Sequence, residues 1–294
     1  MKKEKGILII AVGHANYGNM ACNLAATLKA FGNDLPIHLA YTTSAIKHLD
    51  SDKLSVFDSQ KEVHPKHYDN IKMDWIKVKI SMYELSPFDE TLFIDADCLA
   101  LWKKPINDLF ELCKDENLVI PYWAKTDIAA EDLKEDFSWW VNIKDLKKDY
   151  GFDAGLFYNY NSELVYFKKC ESVKAYFYNL KKIYEKPLCK FVKWANTMPD
   201  ELAFSICSLQ LGIYSNINIE TIYHGNGEMN FTPTNSIVEI ANNFHLFSTA
   251  GIRQSEMNTE CYNSISQIAF QKIGLKYPYK LTPKANYLNE RKTI

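Results

Sequence analysis

The sequence predicts an α/β fold with a mostly parallel central sheet flanked by helices. Near the N-terminus, a strand pattern at Ile7–Val12 is followed by a loop, by apolar residues at helical spacing in Met20–Phe31, and by a second strand pattern at Ile37–Tyr41. This order is typical of two parallel strands joined by a right-handed crossover. Further on, the apolar run Thr91–Ile94 fits a strand that is buried on both faces of such a sheet.

Composition places the chain among ordinary globular proteins. Its 294 residues are enough for a sizeable core, and 47% of them are hydrophobic and 24% charged. The net charge of −2 gives no electrostatic reason to expect nucleic acid as a partner. We expect one domain over residues 1–253 and a C-terminal helical extension, residues 254–294, that packs on it. The sequence gives no signal for an oligomeric state.

Cysteine usage and the N-terminus predict a cytoplasmic protein. Seven cysteines are scattered without a C-x-x-C pair, which disfavours both a zinc site and a disulfide framework. The apolar run after the charged start is short and is expected to form the first strand rather than a signal peptide. No apolar stretch approaches the ~20 residues of a transmembrane helix.

Periodicity assigns the later segments. A helix is expected to precede the apolar run, and a strand and a charged helical segment to follow it. Two more elements, a helix and a late strand, lie towards the C-terminus. In chain order the expected elements are Lys72–Tyr83, Leu118–Tyr122, Trp123–Tyr150, Glu163–Tyr184 and Ile237–Phe247.

Two aspartates follow the apolar run directly. Asp95 and Asp97 are separated by one small residue, and both point to the same side because strand side chains alternate. Paired carboxylates repel each other and are costly to desolvate without a counter-charge. Mg²⁺ or Mn²⁺ is the simplest partner, especially when the metal also holds a diphosphate. The alternative is a pair of solvated loop aspartates that cap the next helix.

The residues around this pair resemble a known family. Lys79 lies sixteen residues before Asp95, and the D-A-D sequence is followed by the segment Ile106–Phe110. This arrangement resembles the GT-A type retaining glycosyltransferases, most closely the family of glycogenin and the bacterial lipopolysaccharide galactosyltransferases. The resemblance implies a Rossmann-like sheet and metal-dependent transfer of a hexose from a nucleoside diphosphate sugar, with retention. It also implies Mn²⁺ or Mg²⁺ on Asp95 and Asp97, and Lys79 as the catalytic residue that neutralises diphosphate charge.

The first loop also resembles that family, in which N-D-x-Y precedes a helix. The matching residues here are His14–Tyr17, and the resemblance implies that Tyr17 stacks on uracil and that the donor is a UDP-sugar. It places around the nucleotide Val12, Asn16, Tyr17 and Ala96. Ala15 replaces the family's aspartate, which leaves the base preference open. The alternative for Tyr17 is simple packing at the start of the helix.

Two further segments resemble the family's sugar-binding elements. Gly151–Tyr158 resembles the strand that lines the sugar pocket, with Asp153 in place of an asparagine and Gly155 allowing close approach of the ligand. A helix starting near residue 198 carries Asp200 and Glu201, where the family has an aspartate and a glutamine that face the donor sugar. We expect both acids to act as catalytic residues. The alternative is that they only complement the helix macrodipole.

A late histidine is expected as the third metal ligand. In the family this histidine lies on a late strand, and His245, in the predicted strand Ile237–Phe247, is the preferred counterpart. His224 is the rival.

Two other functions stay open. A sugar-nucleotide nucleotidyltransferase uses a similar sheet and similar aspartates, but it needs a basic, glycine-rich loop after the first strand, and Gly13–Gly18 contains no lysine or arginine. A catalytically inactive sugar-nucleotide-binding protein is the third interpretation. The acceptor is not indicated, although the lack of a basic C-terminal tail argues against one docked at a membrane.

Overall fold

The computed structural model describes residues 4–67, 75–193, 197–214, 222–224, 237–249, 256–276 and 278–282. Within these residues the fold is a mixture of strands and helices. The strands are β1 Lys5–Ala11, β2 Ile37–Tyr41, β3 Ser59–Glu62, β4 Glu90–Asp95, β5 Cys98–Ala100, β6 Leu118–Val119, β7 Tyr122–Asp127, β8 Leu156–Tyr160, β9 Leu164–Lys168, β10 Ile222–His224 and β11 Leu246–Ser248. The helices are α1 Ala15–Ala30, α2 Thr43–Ile46, α3 Ser51–Leu54, α4 Trp75–Lys79, α5 Met82–Leu85, α6 Asn107–Leu112, α7 Ile143–Tyr150, α8 Glu171–Glu185, α9 Asp200–Leu211, α10 Ile237–Asn243 and α11 Glu256–Lys272.

A six-stranded sheet has the order β3-β2-β1-β4-β9-β6. β1 pairs in parallel with β2, and β2 in parallel with β3, whereas β6 runs antiparallel to β9. The apolar residues of β1 and β4 are buried, as expected for strands covered on both faces. The predicted α/β class with a mostly parallel central sheet is confirmed.

The chain divides into two compact units, and neither is continuous in sequence. The first unit contains Met1–Lys5, Val63–Phe93 and Cys113–Ile219; the second contains Gly6–Glu62, Ile94–Leu112 and Glu220–Ile294. The predicted boundary at residue 253 stays a prediction.

The second unit is held together by the packing of α11 on α1. At its centre the buried side-chain amide of Asn23 donates hydrogen bonds to the hydroxyls of Tyr262 and Ser266, each at 3.2 Å, and to the carbonyl of Tyr279 at 2.8 Å. A buried amide is stable only when its hydrogen-bonding capacity is used. Asn23 therefore fixes the C-terminal residues on the first helix.

The first unit is built on α9, which packs against both α8 and β8. The Ser208 hydroxyl lies 3.0 Å from the Tyr160 hydroxyl and 2.8 Å from that of Tyr176, and all three residues are buried. This chain of hydroxyls joins a strand and two helices, and it fixes the position of the helix that starts at Asp200.

Several segments differ from the sequence prediction. Trp123–Tyr150 starts as the strand β7, paired antiparallel with β8, and is helical only in α7. Glu163–Tyr184 begins with β9, which is paired with β6, so the helix starts only at Glu171. In both cases pairing with a strand distant in sequence overrides the local helical pattern, and such pairing is not visible in a local window.

The late segment Ile237–Phe247 is the third difference, because it forms the helix α10 and only then the short strand β11. Lys72–Tyr83 is also interrupted: within the described residues it forms α4 and α5, and residues 72–74 lie outside them. In the part of the chain that the structure covers, no helix is long and apolar enough to cross a membrane.

Candidate active site

The Asp95–Asp97 turn lies at the carboxyl end of β4. Asp95 is the last residue of that strand, and Ala96 and Asp97 form the turn that leads into β5. Both carboxylate residues are half-buried, whereas Ala96 is buried. Ligands of mostly parallel sheets bind beyond the carboxyl ends of the strands, which is where this turn lies.

Thr249 holds the backbone of this turn. Its amide donates to the Asp97 carbonyl at 3.3 Å, and its hydroxyl donates to the same oxygen at 3.2 Å. Thr249 is fully buried. The contact follows from the antiparallel pairing of β11 with β5, in which Ser248 lies opposite Cys98. These two hydrogen bonds fix the main chain of the turn.

The structure does not bring His245 together with Asp97. His245 lies at the far end of the β11–β5 ladder, where its carbonyl accepts a hydrogen bond from the Leu101 amide at 2.9 Å. His245 therefore lies one strand away from Asp97 and is displaced from it by four residues along the strand. With ordinary strand geometry, the two Cα atoms are about 14 Å apart. The buried Nδ1 atom of His245 has no hydrogen-bond partner among the described residues. Burial, and then the charge of Lys104, lower its pKa to about 4, so the imidazole is neutral at physiological pH.

The rival His224 lies in β10, which forms a three-stranded sheet with β11 and β5 in the order β10-β11-β5. It is the last residue of β10 and is in register with Ser248 of β11. Ser248 lies opposite Cys98, so β10 is two strands away from the residue next to Asp97. With ordinary strand spacing, the Cα atoms of His224 and Asp97 are about 10 Å apart. The register thus places the backbone of His224 nearer to the turn than that of His245.

The carboxylate pair fits a hard divalent cation that is also bound by water and substrate phosphates. Among the side chains that the structure describes, no group of three or more His, Cys, Asp or Glu residues could hold a metal. Mg²⁺ and related hard cations are often bound through only one or two carboxylates, with water and substrate phosphates supplying the other oxygens. Asp95 and Asp97 match that donor set. They do not resemble an all-protein metal cage.

The first loop is tied to the end of β2. The Gly13 amide donates to the Thr42 hydroxyl at 2.9 Å, and Gly13 has a φ of 83°, which favours glycine. Tyr17 is half-buried in the first turn of α1, which leaves part of its ring accessible. Gly18 is required by packing, because a Cβ there would lie 2.0 Å from the Ala45 carbonyl oxygen.

Lys79 and Asp200 form a buried ion pair in the first unit. The Lys79 ammonium lies 2.7 Å from Asp200 Oδ2, and the two side chains are only 15% and 8% exposed. The Ser162 hydroxyl accepts from Lys79 at 3.1 Å and donates to the same carboxylate at 2.7 Å. The ammonium also lies 5.7 Å from the centre of the Phe93 ring. Lys79 and Asp200 are 121 positions apart in the sequence, and the fold brings both to Ser162.

The pKa values of the two acids at the start of α9 shift in opposite directions. Burial alone would raise the pKa of Asp200, but the charge of Lys79 and hydrogen bonds from Lys79 and Ser162 hold it below the usual range. The pKa of the half-buried Glu201 is raised well above its usual value by burial and by the neighbouring Asp200 charge. The surroundings of Glu201 therefore favour its protonated form over the carboxylate.

Asp153 and Gly155 lie before β8. Asp153 is exposed. Gly155 has a φ of 131°, and a Cβ there would lie 2.6 Å from Leu209 Cδ1 of α9. Within the fold, the close approach that this glycine allows is to α9. Its contact with a donor sugar stays a prediction.

Sequence reasoning missed Ser162 and Thr249, although both contact predicted site residues. An isolated serine or threonine carries no local signal, and each contact depends on pairing between distant segments. Because β9 starts soon after Ser162, the sequence could have suggested that Ser162 lies at a strand end. It could not have shown that Ser162 contacts Lys79 and Asp200.

The family comparison decides the class of protein. The family model described as "Mannosyltransferase putative" matches residues 4–186, which is more than half of the 294 residues. The chain belongs to this family. It is therefore a glycosyltransferase, as the sequence predicted. No curated protein sequence matches this glycosyltransferase.

Solved structures of several glycosyltransferases share this fold. The bifunctional glycosyltransferase WbbM superposes with a TM-score of 0.56 at 13% identity, over 92% of this chain and 50% of its own. This chain thus spans half the length of WbbM. The galactosyltransferase LgtC gives 0.54 at 11% identity, over 90% and 95%. The glycosyltransferase GlyE from Streptococcus pneumoniae TIGR4 gives 0.51 at 13% identity, over 94% and 65%. The predicted GT-A fold is confirmed.

Proposed function

We propose that this glycosyltransferase moves a hexose from a nucleoside diphosphate sugar to a hydroxyl acceptor, with a divalent metal ion on Asp95 and Asp97. The proposal rests on one observation above all. Two half-buried carboxylates occupy a turn at the carboxyl end of β4, a strand of the mostly parallel sheet, and the backbone of that turn is fixed by Thr249. When bound, Mn²⁺ or Mg²⁺ would neutralise the charge that develops on the departing diphosphate.

Lys79 and Asp200 are proposed to act in the transfer step. In the transfer, the bond from the anomeric carbon to the diphosphate oxygen breaks, the acceptor oxygen bonds to that carbon, and the acceptor proton passes to the departing diphosphate. We propose that Lys79 contributes positive charge to this step and that Asp200 orients the ammonium through their 2.7 Å contact. Asp153 and Gly155 are proposed to contact the sugar.

The state of Glu201 supports retention without a covalent intermediate. Burial and the Asp200 charge raise the pKa of Glu201 well above its usual value, which disfavours the carboxylate form that a nucleophile requires. The neighbouring Asp200 carboxylate is already bonded to Lys79 and Ser162. We therefore propose attack on the same face as the departing diphosphate, with Glu201 as a hydrogen-bond donor in the place where related enzymes have glutamine.

Two donor chemistries compete. Tyr17, with Val12, Asn16 and Ala96, is proposed to hold the base, and the resemblance of the first loop favours uridine. The description of the matching family favours mannose as the sugar. Because Ala15 replaces the aspartate of the related loop, a guanosine diphosphate sugar is the second candidate.

A panel of nucleotide sugars tests the proposal. Purified protein with Mn²⁺ is incubated with UDP-glucose, UDP-galactose, UDP-mannose and GDP-mannose, and release of the nucleoside diphosphate is measured, with water as a slow acceptor. We expect release from one donor and its loss on chelation of the metal. Absence of release from every donor, together with pyrophosphate-dependent formation of nucleoside triphosphate, would favour the nucleotidyltransferase. Tight binding of a donor without turnover would favour an inactive binding protein.

The third metal ligand is tested by comparing His224→Ala with His245→Ala. The register favours His224, so we expect Mn²⁺ affinity in the presence of nucleoside diphosphate to fall in His224→Ala. His245→Ala should change it little and affect mainly thermal stability. The reverse result would restore His245 as the ligand, and no change in either variant would leave the two aspartates as the protein's ligands.

A further inference from the structure

The segment that follows α8 exposes apolar and basic side chains together. Residues 186–193 contain three lysines and no acidic residue, in the sequence K-P-L-C-K-F-V-K. Leu188 and Val192 are 64% and 58% exposed, and the three lysines are exposed as well. Single exposed apolar side chains are ordinary on protein surfaces. Here, however, they alternate with lysines over eight residues.

A tryptophan lies beside this segment. The Val192 amide donates a hydrogen bond to the Trp140 carbonyl at 2.7 Å. This bond holds the segment that contains Trp139 against residues 186–193. The Trp139 side chain is 56% exposed.

The exposed stripe of α8 continues into the same segment. Tyr178 and Lys182 are four residues apart and therefore lie along one side of the helix, and Lys186 follows its last residue. Tyr178 is 61% exposed, and the Lys182 ammonium lies 4.2 Å from the centre of its ring. We call Trp139, Tyr178, Lys182 and residues 186–193 the basic–apolar surface.

The inner side of the segment is anchored, so these side chains are not exposed for lack of packing. The Leu188 amide donates to the Tyr150 hydroxyl at 3.1 Å, and Cys189 is buried.

Acidic side chains also lie near this segment, among them Asp145 and Asp149, whose charges act on Cys189. The Glu185 carboxylate is paired with Lys77 at 2.9 Å, and α7 carries three lysines against two aspartates.

We infer that the basic–apolar surface docks this protein on an anionic membrane surface. Exposed aliphatic side chains can enter the boundary between headgroups and acyl chains, while tryptophan, tyrosine and lysine place their polar ends among the headgroups. Lysines next to such a surface are attracted by acidic phospholipids. The inference goes beyond the proposed function and does not depend on the donor. It also replaces the expectation of no membrane docking, which considered only the C-terminal tail.

Vesicle co-sedimentation tests this inference. The full chain is mixed with vesicles of pure phosphatidylcholine, or of equal parts phosphatidylcholine and phosphatidylglycerol, at low and high salt. We expect binding to the anionic vesicles alone, weakened at high salt by screening. Lys190→Gln with Lys193→Gln should lower the partition coefficient roughly 10- to 30-fold. Leu188→Ser with Val192→Ser should lower it to a similar extent, because apolar insertion is lost.

A matched control uses an exposed leucine and lysine elsewhere. Leu112→Ser with Lys114→Gln makes the same chemical changes at exposed positions outside the basic–apolar surface, and should bind anionic vesicles as the wild type does. Equal binding to both vesicle types, no binding to either, or binding that survives both surface pairs would overturn the inference. A dimer that dissociates in Leu188→Ser with Val192→Ser, without vesicle binding, would also overturn it and identify the surface as a self-association face.

Discussion

The Lys79–Asp200 cluster and the Asp95–Asp97 turn both place carboxylates at the end of a structural element, but their surroundings differ. In the cluster, an ammonium at 2.7 Å and a serine hydroxyl at 2.7 Å satisfy the buried Asp200 carboxylate within the protein. At the turn, the described side chains include no set of three metal-ligating groups, and Thr249 bonds the main-chain carbonyl of Asp97.

This difference predicts how each region responds to substitution. The cluster is organised before any substrate binds, so changing it should affect stability as well as activity. The turn is shaped by its backbone, so changing its carboxylates should affect metal and donor binding while the fold is kept. The predictions below test this contrast, from the largest expected effect to the smallest.

Asp97→Asn should reduce transfer by about three orders of magnitude or more, because the metal's stabilisation of developing charge is worth several kcal/mol. Its thermal unfolding should stay close to that of the wild type, because the bond from the Thr249 hydroxyl to the Asp97 carbonyl does not depend on the side-chain charge. Donor turnover and melting are measured together. Asp132→Asn, at an exposed position, serves as the control. Wild-type binding of Mn²⁺ with nucleotide in Asp97→Asn would remove the basis for the metal proposal.

Lys79→Met should lower the free energy of unfolding by roughly 3–5 kcal/mol, because it leaves the Asp200 charge buried without its partner. Adding Asp200→Asn should recover part of that loss by removing the lone charge. Lys77→Met provides the control on the same helix, since Lys77 pairs with Glu185 at the surface and should cost at most about 1 kcal/mol. Chemical denaturation measures all four proteins. Equal losses for Lys79→Met and Lys77→Met would show that the buried pair is not organised as described.

Tyr17→Ala should weaken binding of the nucleoside diphosphate by about 1–3 kcal/mol, the range for stacking of a base on an aromatic ring. Tyr17→Phe keeps the ring and should bind almost as the wild type does. Calorimetry with UDP and GDP in the presence of Mn²⁺ gives the dissociation constants. Unchanged constants for both nucleotides in Tyr17→Ala would return Tyr17 to a packing role at the start of α1.

Glu201→Gln should have the smallest effect on activity, because a neutral glutamic acid and a glutamine can donate the same hydrogen bond. The raised pKa of Glu201 favours the folded state only while the residue is protonated. That contribution is full below about pH 4.5, the usual pKa, and is lost as pH rises towards the folded value. The wild type should therefore lose stability with rising pH over this range more steeply than Glu201→Gln.

Urea unfolding across this pH range measures the slope, and donor turnover measures activity. A large fall in turnover in Glu201→Gln with donor affinity kept would instead show that the negative charge is needed, and would reopen a covalent or electrostatic role.

The sequence by itself determined the elements whose signals are local. The D-A-D turn after an apolar strand, the strand–helix–strand start and the lysine before Asp95 are all visible in short windows. Through their resemblance to a known family, they led to the prediction of a GT-A fold and a glycosyltransferase. A buried parallel strand is nearly continuous in apolar residues, and its end is marked wherever charged residues begin.

Only the tertiary structure decided which distant residues meet. Lys79, Ser162 and Asp200 converge through packing of α9 on β8 and α8, and the register of β11 on β5 brings Thr249, and not His245, to Asp97. The charge state of Glu201 likewise depends on burial next to Asp200. The physical reason is the same in each case: a strand register and a pKa are set by neighbours in space, and a window of sequence contains only neighbours along the chain.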